Sequence, residues 1–95
     1  MSTPSIVDFL FDDENEEEMA AHGLTADTIS QLLDHPLVVL RNRKERRAQY
    51  LIIGRDKGRR CIAVPVESTH DPTLWRPVTA WPCKDNERAR LGKGT

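Results

Sequence analysis

An α+β fold is what this sequence predicts, on three observations. Helical spacing and capping signals occupy the first 36 residues, strand-like apolar runs begin at Leu37, and the links between those runs are of hairpin length. The chain has 95 residues, which places it at the low end of the domain range and predicts a single domain over residues 1–95 with one shared core. Hydrophobic residues make up 38% and charged residues 31%, enough apolar content to fold beneath a well-solvated surface.

Each element has a local reason. Ile6, Val7, Phe9 and Phe11 form a short apolar strand leading into Asp12-Asp13. Asp13 suits an N-cap with Glu16 three residues on, and acids fill the first turn where the helix dipole favours them, so a helix is expected from about Glu14 to Ala21. His22 falls at its C-terminal end and Gly23 supplies the left-handed stop. Thr25 caps a second helix whose Ile29, Leu32 and Leu33 share a face, and His35-Pro36 ends it because the residue before proline avoids helical backbone. The pair reads as two short antiparallel helices.

Four strands are then expected: Leu37 to Leu40, Tyr50 to Ile53, Cys61 to Val66, and Trp75 to Trp81. Basic turns at Arg41 to Arg47 and Arg55 to Arg59, and a polar loop from Ser68 to Thr73, separate them, so an antiparallel sheet is expected. Pro65 and Pro77 lack a ladder donor and argue for bulges or edge positions. Gly54 and Gly58 are read as turn residues. Lys84 to Leu91 closes the chain as an amphipathic helix.

Charge is sorted by position. Residues 1–40 hold nine acids and no Lys or Arg, a formal −9, whereas residues 41–95 hold all fourteen basic residues against six acids, a formal +8. Clustered cations gain affinity for a polyanion by releasing its condensed counterions, which points to nucleic acid; mutual attraction of the two halves within the fold is the alternative. The longest apolar runs are far short of the roughly 20 residues a membrane helix needs, and Met1 to Ile6 lacks the pattern of a secretory leader, so no membrane contact and a cytoplasmic location are expected. Cys61 and Cys83 make neither a CxxC motif nor a disulfide framework, which makes reduced thiols the expectation.

Phe9-Leu-Phe-Asp12, His22-Gly23, Asp34-His-Pro36, Tyr50 to Gly54, Arg76-Pro-Val-Thr-Ala80 and Glu87-Arg88 occur in an order and spacing that resemble the BrnT family of toxins, whose fold is related to the RelE-like bacterial ribonucleases. The family counterparts are Phe-x-Trp-Asp, Lys-His-Gly, a short Asp-Pro stop, a long hairpin strand, Arg-x-Ile-Ser-Ala and Glu-Arg. The resemblance implies an antiparallel sheet flanked by two N-terminal helices and one C-terminal helix, a metal-independent endoribonuclease acting on single-stranded RNA, and a cognate antitoxin. Two departures stand out. Trp81-Pro82 replaces the family's arginine after Ser-Ala, and Ala21 replaces the lysine before His22.

Metal-independent RNA cleavage needs a base for the 2′-hydroxyl, an acid for the departing 5′-oxygen and cations for the phosphate. His22 titrates near neutrality and suits acid or base; Arg47 and Arg76 suit phosphate clamping, with Thr79 on the same strand as Arg76. For each arginine the alternative is a solvated surface role, and for His22 a charged helix end. Arg43, Lys44, Arg46 and Arg88 are candidate phosphate contacts, and Trp81 a candidate for stacking an unpaired base. Trp75 and Trp81, six residues apart, fall on one face of a regular strand, which favours both as core anchors. No metal-ligand spacing or phosphate loop is present, so no cofactor is expected. A non-catalytic module binding nucleic acid or protein on the same scaffold is the alternative to the enzyme, and a homodimer is compatible with either.

Overall fold

The computed structural model describes residues 4–42 and 47–91. In chain order these residues form β1 (Asp8–Phe9), α1 (Asp13–Ala20), α2 (Ala26–Ser30), a short 3-10 turn (Gln31–Asp34), β2 (Val38–Arg41), β3 (Tyr50–Arg55), β4 (Cys61–Ser68), β5 (Leu74–Pro77), β6 (Trp81–Pro82) and α3 (Asp85–Arg90). The α+β class holds, and the wholly antiparallel sheet is corrected to a mixed one. Strand order is β1-β5-β4-β3-β2, with β6 also on β4, and β1 lies parallel to β5 through Asp8 opposite Leu74 and Phe9 opposite Trp75. That pairing joins residues more than 60 apart in sequence, which hairpin reasoning does not reach.

Local signals account for the helix ends, with one shift. Asp12, not Asp13, caps α1: its side chain accepts from the Asn15 N–H at 2.9 Å, while the Asn15 side chain accepts from the Asp12 N–H at 2.9 Å. The frame is set by burial, because Asn15 is fully buried and its amide also donates to the carbonyls of Leu10 and Pro77. Gly23 has φ +76°, the left-handed stop, and Thr25 caps α2 by accepting from the Thr28 N–H. The segment beyond Ser30 tightens into the 3-10 turn and ends at His35, before Pro36.

The last expected strand is broken in two. Val66 pairs with Pro77 and Ala63 with Trp81, so Val64 and Pro65 of β4 face the three residues 78–80. One extra residue makes a bulge, and the prolines explain it: Pro77 has no N–H for the ladder, and the Val78 N–H donates instead to the Pro65 carbonyl at 2.8 Å. The extra residue also reverses the side-chain parity of the strand beyond it. Trp75 and Trp81 therefore join different apolar clusters, correcting the expectation of a shared face. Trp75 is buried, edge-on to the half-buried Tyr50 at 5.4 Å, whereas Trp81 is only partly covered.

β4 has apolar residues on both faces. Ile62, Val64 and Val66 pack in one cluster with Ile52 and with Met19, Leu24, Ile29 and Leu32 of the N-terminal helical segment. Cys61 and Ala63 belong to the second, with Ile53, Cys83 and Leu91. Gly54 is corrected from a turn residue to a buried strand residue, since a Cβ there would meet Leu37 Cδ2 at 2.8 Å. The expectation of reduced thiols is also corrected: Cys61 and Cys83 form a disulfide, with Cα atoms 5.3 Å apart. Spacing of 22 residues says nothing about this; the antiparallel seating of β6 on β4 brings the two together. Among the described residues no helix is long and apolar enough to cross a membrane.

Candidate functional site

Two arginines and three carboxylates close a ring of charge where β4 and β5 meet the start of α1. Glu67 of β4 stands opposite Arg76 of β5 in register, and the N-cap position of α1 brings Asp12 and Glu14 over the same pair. Arg76 donates through Nε and Nη2 to both oxygens of Asp12 (2.7 and 3.1 Å), through Nη1 to Glu67 (2.7 Å), and through Nη2 to Glu14 (2.8 Å). Arg47 grips the two oxygens of Glu67 at 3.2 Å each and approaches Glu14 at 3.7 Å. Fork-on-carboxylate contacts of this kind are the stronger class of hydrogen bond.

The ring has an enclosed and an open side. The Arg76 side chain is 13% exposed and that of Glu67 22%, against 58% for Arg47 and 67% for Glu14. Hydrogen bonding from Arg76, then the Asn15 N–H, holds the Asp12 carboxyl below the usual range. Arg76 is held more firmly protonated, chiefly by Asp12 and against the opposing effect of burial. Three carboxylates against two guanidiniums leave the ring one negative charge.

Arg47 also borders a groove of about 450 Å³. Its polar members are Asn42, Arg47, Thr79 and Lys84, and Trp81 lies along it. The Trp81 indole N–H donates to the Glu87 carboxylate at 3.0 Å, and Glu87 also accepts from the Lys84 N–H at 2.8 Å, which fixes the ring at the start of α3. Lys84 Nζ lies 5.7 Å from the centre of the indole ring, a cation–π distance. Thr79 Oγ1 is shielded from solvent and has no hydrogen-bond partner among the described residues.

Of the residues expected at the site, Arg47 and Arg76 share two carboxylates, and Arg47, Thr79 and Trp81 share the groove. His22 stands apart at the exposed α1 turn, lining neither the ring nor the groove. Arg88 is committed to Asp85 and the Cys83 carbonyl at 3.0 Å each. Arg43, Lys44 and Arg46 lie outside the described residues. Sequence reasoning misses Asp12, Glu14, Glu67 and Lys84, because acids near a helix start read as capping and dipole residues. The available signal was the register that sets Glu67 against Arg76 across a hairpin. No cluster of three or more His, Cys, Asp or Glu that could hold a metal is found among the described residues. No family model matches the chain, and no curated protein is similar to it.

Proposed function

We propose that this chain is a BrnT-like toxin, a metal-independent endoribonuclease for single-stranded RNA with helices flanking the sheet in the RelE/BrnT manner. One observation carries the reading: Arg47 belongs both to the carboxylate–guanidinium ring and to the groove lined by Thr79, Trp81 and Lys84. A strand in that groove stacks a base on Trp81, sets a phosphate between Lys84 and Arg47, and presents the ribose to Glu14, the most exposed acid of the ring. Glu14 takes the 2′-hydroxyl proton, the 2′-oxygen attacks phosphorus, and Arg47 and Arg76 hold the charge that builds on the phosphate. The P–O5′ bond breaks to leave a 2′,3′-cyclic phosphate, and the departing oxygen takes its proton from water because His22 is elsewhere. Turnover is slow for that reason. The site operates in the cytoplasm, where a cognate antitoxin restrains it, and light scattering with and without that partner distinguishes monomer from homodimer.

A second reading, a non-catalytic RNA-binding module, is favoured by a different observation. Four of the five N–H groups of Arg76 already donate to carboxylates and the ring has a net negative charge, so a phosphate arriving there meets repulsion and a largely engaged guanidinium. Expression in a bacterial host separates the two. Growth arrest with RNA decay, insensitive to chelator in vitro and lowered more than about tenfold by Glu14→Gln, is expected of the enzyme. RNA binding without decay leaves the module. In both cases binding should weaken with salt at a log-log slope of about −0.7 per phosphate neutralised, and no binding at low salt sinks both.

A further inference from the structure

A second basic concavity lies at the other end of the β2–β3 ladder. The RNA groove sits by Asn42 and Leu51, near the pair formed by Arg41 and Tyr50, whereas this cavity opens beside Val38 and Arg55, near the pair formed by Val38 and Ile53. Its volume is about 620 Å³, within the range of small-molecule sites. Pro36, Leu37, Val38 and Leu91 make its apolar walls. Leu37 lies close against Gly54, where a side chain would collide with it.

Its polar side is mainly cationic. His35, Arg55, Lys57 and Arg59 line it. Its one acid, Asp56, is taken by Arg60, accepting from the Arg60 N–H at 2.8 Å and from the guanidinium at 2.9 Å. No carboxylate among the described residues pairs with Arg55, Lys57 or Arg59. Arg55 is half-buried; its Nη1 donates to the Arg59 carbonyl at 3.1 Å, but its Nε is shielded from solvent with no acceptor among the described residues. A buried donor without a partner is rare in a settled structure. Arg59 adopts φ +68°, left-handed backbone that a long side chain seldom takes, in the turn that carries this basic rim.

We propose that this cavity binds a small phosphate monoester carrying an aromatic or other apolar body. The apolar walls take the body, and the rim takes the phosphate. Two guanidiniums and an ammonium with no acid of their own match a dianion better than a single carboxylate, and the planar guanidinium fork suits phosphate oxygens. This site is separate from the RNA groove and does not depend on the ribonuclease reading.

The test is a titration of the intact chain with phenyl phosphate, monitored by amide NMR and calorimetry. Saturable binding is expected below about 10 mM, with shifts at residues 35, 37, 38, 55–59 and 91, and with phenol and inorganic phosphate each at least about tenfold weaker. Benzoate should bind measurably less well. Arg59→Asn, which suits left-handed backbone, combined with Lys57→Gln should weaken phenyl phosphate by about tenfold or more at unchanged thermal midpoint. The proposal is overturned by absence of binding at about 10 mM, by shifts confined to the Trp81 groove, by phenol or benzoate binding as well as phenyl phosphate, or by indifference to the double substitution.

Discussion

Asp12 does two jobs that substitution can separate. As an N-cap it needs only a side-chain oxygen, which asparagine supplies, but as the counter-ion of Arg76 it needs its charge. Its carboxyl is held below the usual range by Arg76 first and by the Asn15 N–H next, and Asp71 is lowered by the N–H and hydroxyl of Thr73. In Asp56, burial works against ionisation, but the hydrogen bonds from Arg60 outweigh it. A carboxyl that is more acidic when folded leaves the unfolded chain binding more protons in acid. Its stabilisation is therefore present above the unfolded value, near 4, and is lost as pH falls through the folded value. Urea midpoints should stay level from neutral pH to about 5 and decline below about 4, and Asp12→Asn should flatten part of that decline while keeping α1 intact by circular dichroism. A decline as steep as that of the wild type would show that the charge of Asp12 contributes nothing. The same contacts make Arg76→Ala a test of stability as well as of the site. Removing the guanidinium takes the main partner from three acids, of which only Glu67 is largely enclosed, so a loss of about 1 kcal/mol is expected in urea unfolding, and any fall in RNA cleavage must be measured at a temperature where the variant is folded.

At the scale of elements, the junction of α1 with β5 is the most demanding feature. Asn15 is fully buried and joins three segments: it closes the cap with Asp12, and its amide donates to Leu10 before the helix at 2.9 Å and to Pro77 at the end of β5 at 3.0 Å. The bond to Pro77 is buried and the one to Leu10 partly so. Asn15→Leu keeps a similar volume but leaves both carbonyls unpaired along with the Asp12 N–H, so a loss of about 2–4 kcal/mol is expected, read as a lower urea midpoint at unchanged slope. A cost below about 0.5 kcal/mol would mean that these bonds are replaced when the side chain is lost. The bulge at residues 78–80 is the other constructive element. By turning Trp81 away from the side of Trp75, it places the indole at the groove and away from the core that Tyr50 and Trp75 share.

Across the whole molecule, the two charged halves meet directly. Asp12 and Glu14 from the acidic half engage Arg47 and Arg76 from the basic half, so part of the segregation is resolved inside the fold. The Lys57, Arg59 and Lys84 side chains have no carboxylate partner among the described residues, leaving cations at both ends of the β2–β3 ladder. The Cys61–Cys83 link fastens β6 and the start of α3 to β4, closing a loop of 22 residues that contains β5 and the bulge. Constraining a loop of that length in the unfolded chain is worth about 3 kcal/mol. Reductant should accordingly lower the thermal midpoint of the wild type and leave a Cys61→Ala/Cys83→Ala variant unmoved. Equal midpoints with and without reductant would show that the link does not form in solution.

The α+β class, the helical segment before residue 37, the Gly23 and Pro36 stops, the Thr25 cap and the three strands β2 to β4 are all legible in the order of residues alone. These depend on backbone preference and on apolar spacing, which act between near neighbours. The order of residues also marked Arg47, Arg76, Thr79 and Trp81 as residues worth watching. The remainder is set by long-range packing. The parallel β1–β5 pair, the Cys61–Cys83 link and the carboxylates around Arg76 join residues distant in the chain, and no local period encodes them. The helix cap moved by one residue because burial of Asn15 outweighed a capping preference that Asp12 and Asp13 satisfy equally well. His22 parted from Arg76 for the converse reason: local signals place it accurately at a helix end, but which site that end faces is settled by packing over the sheet.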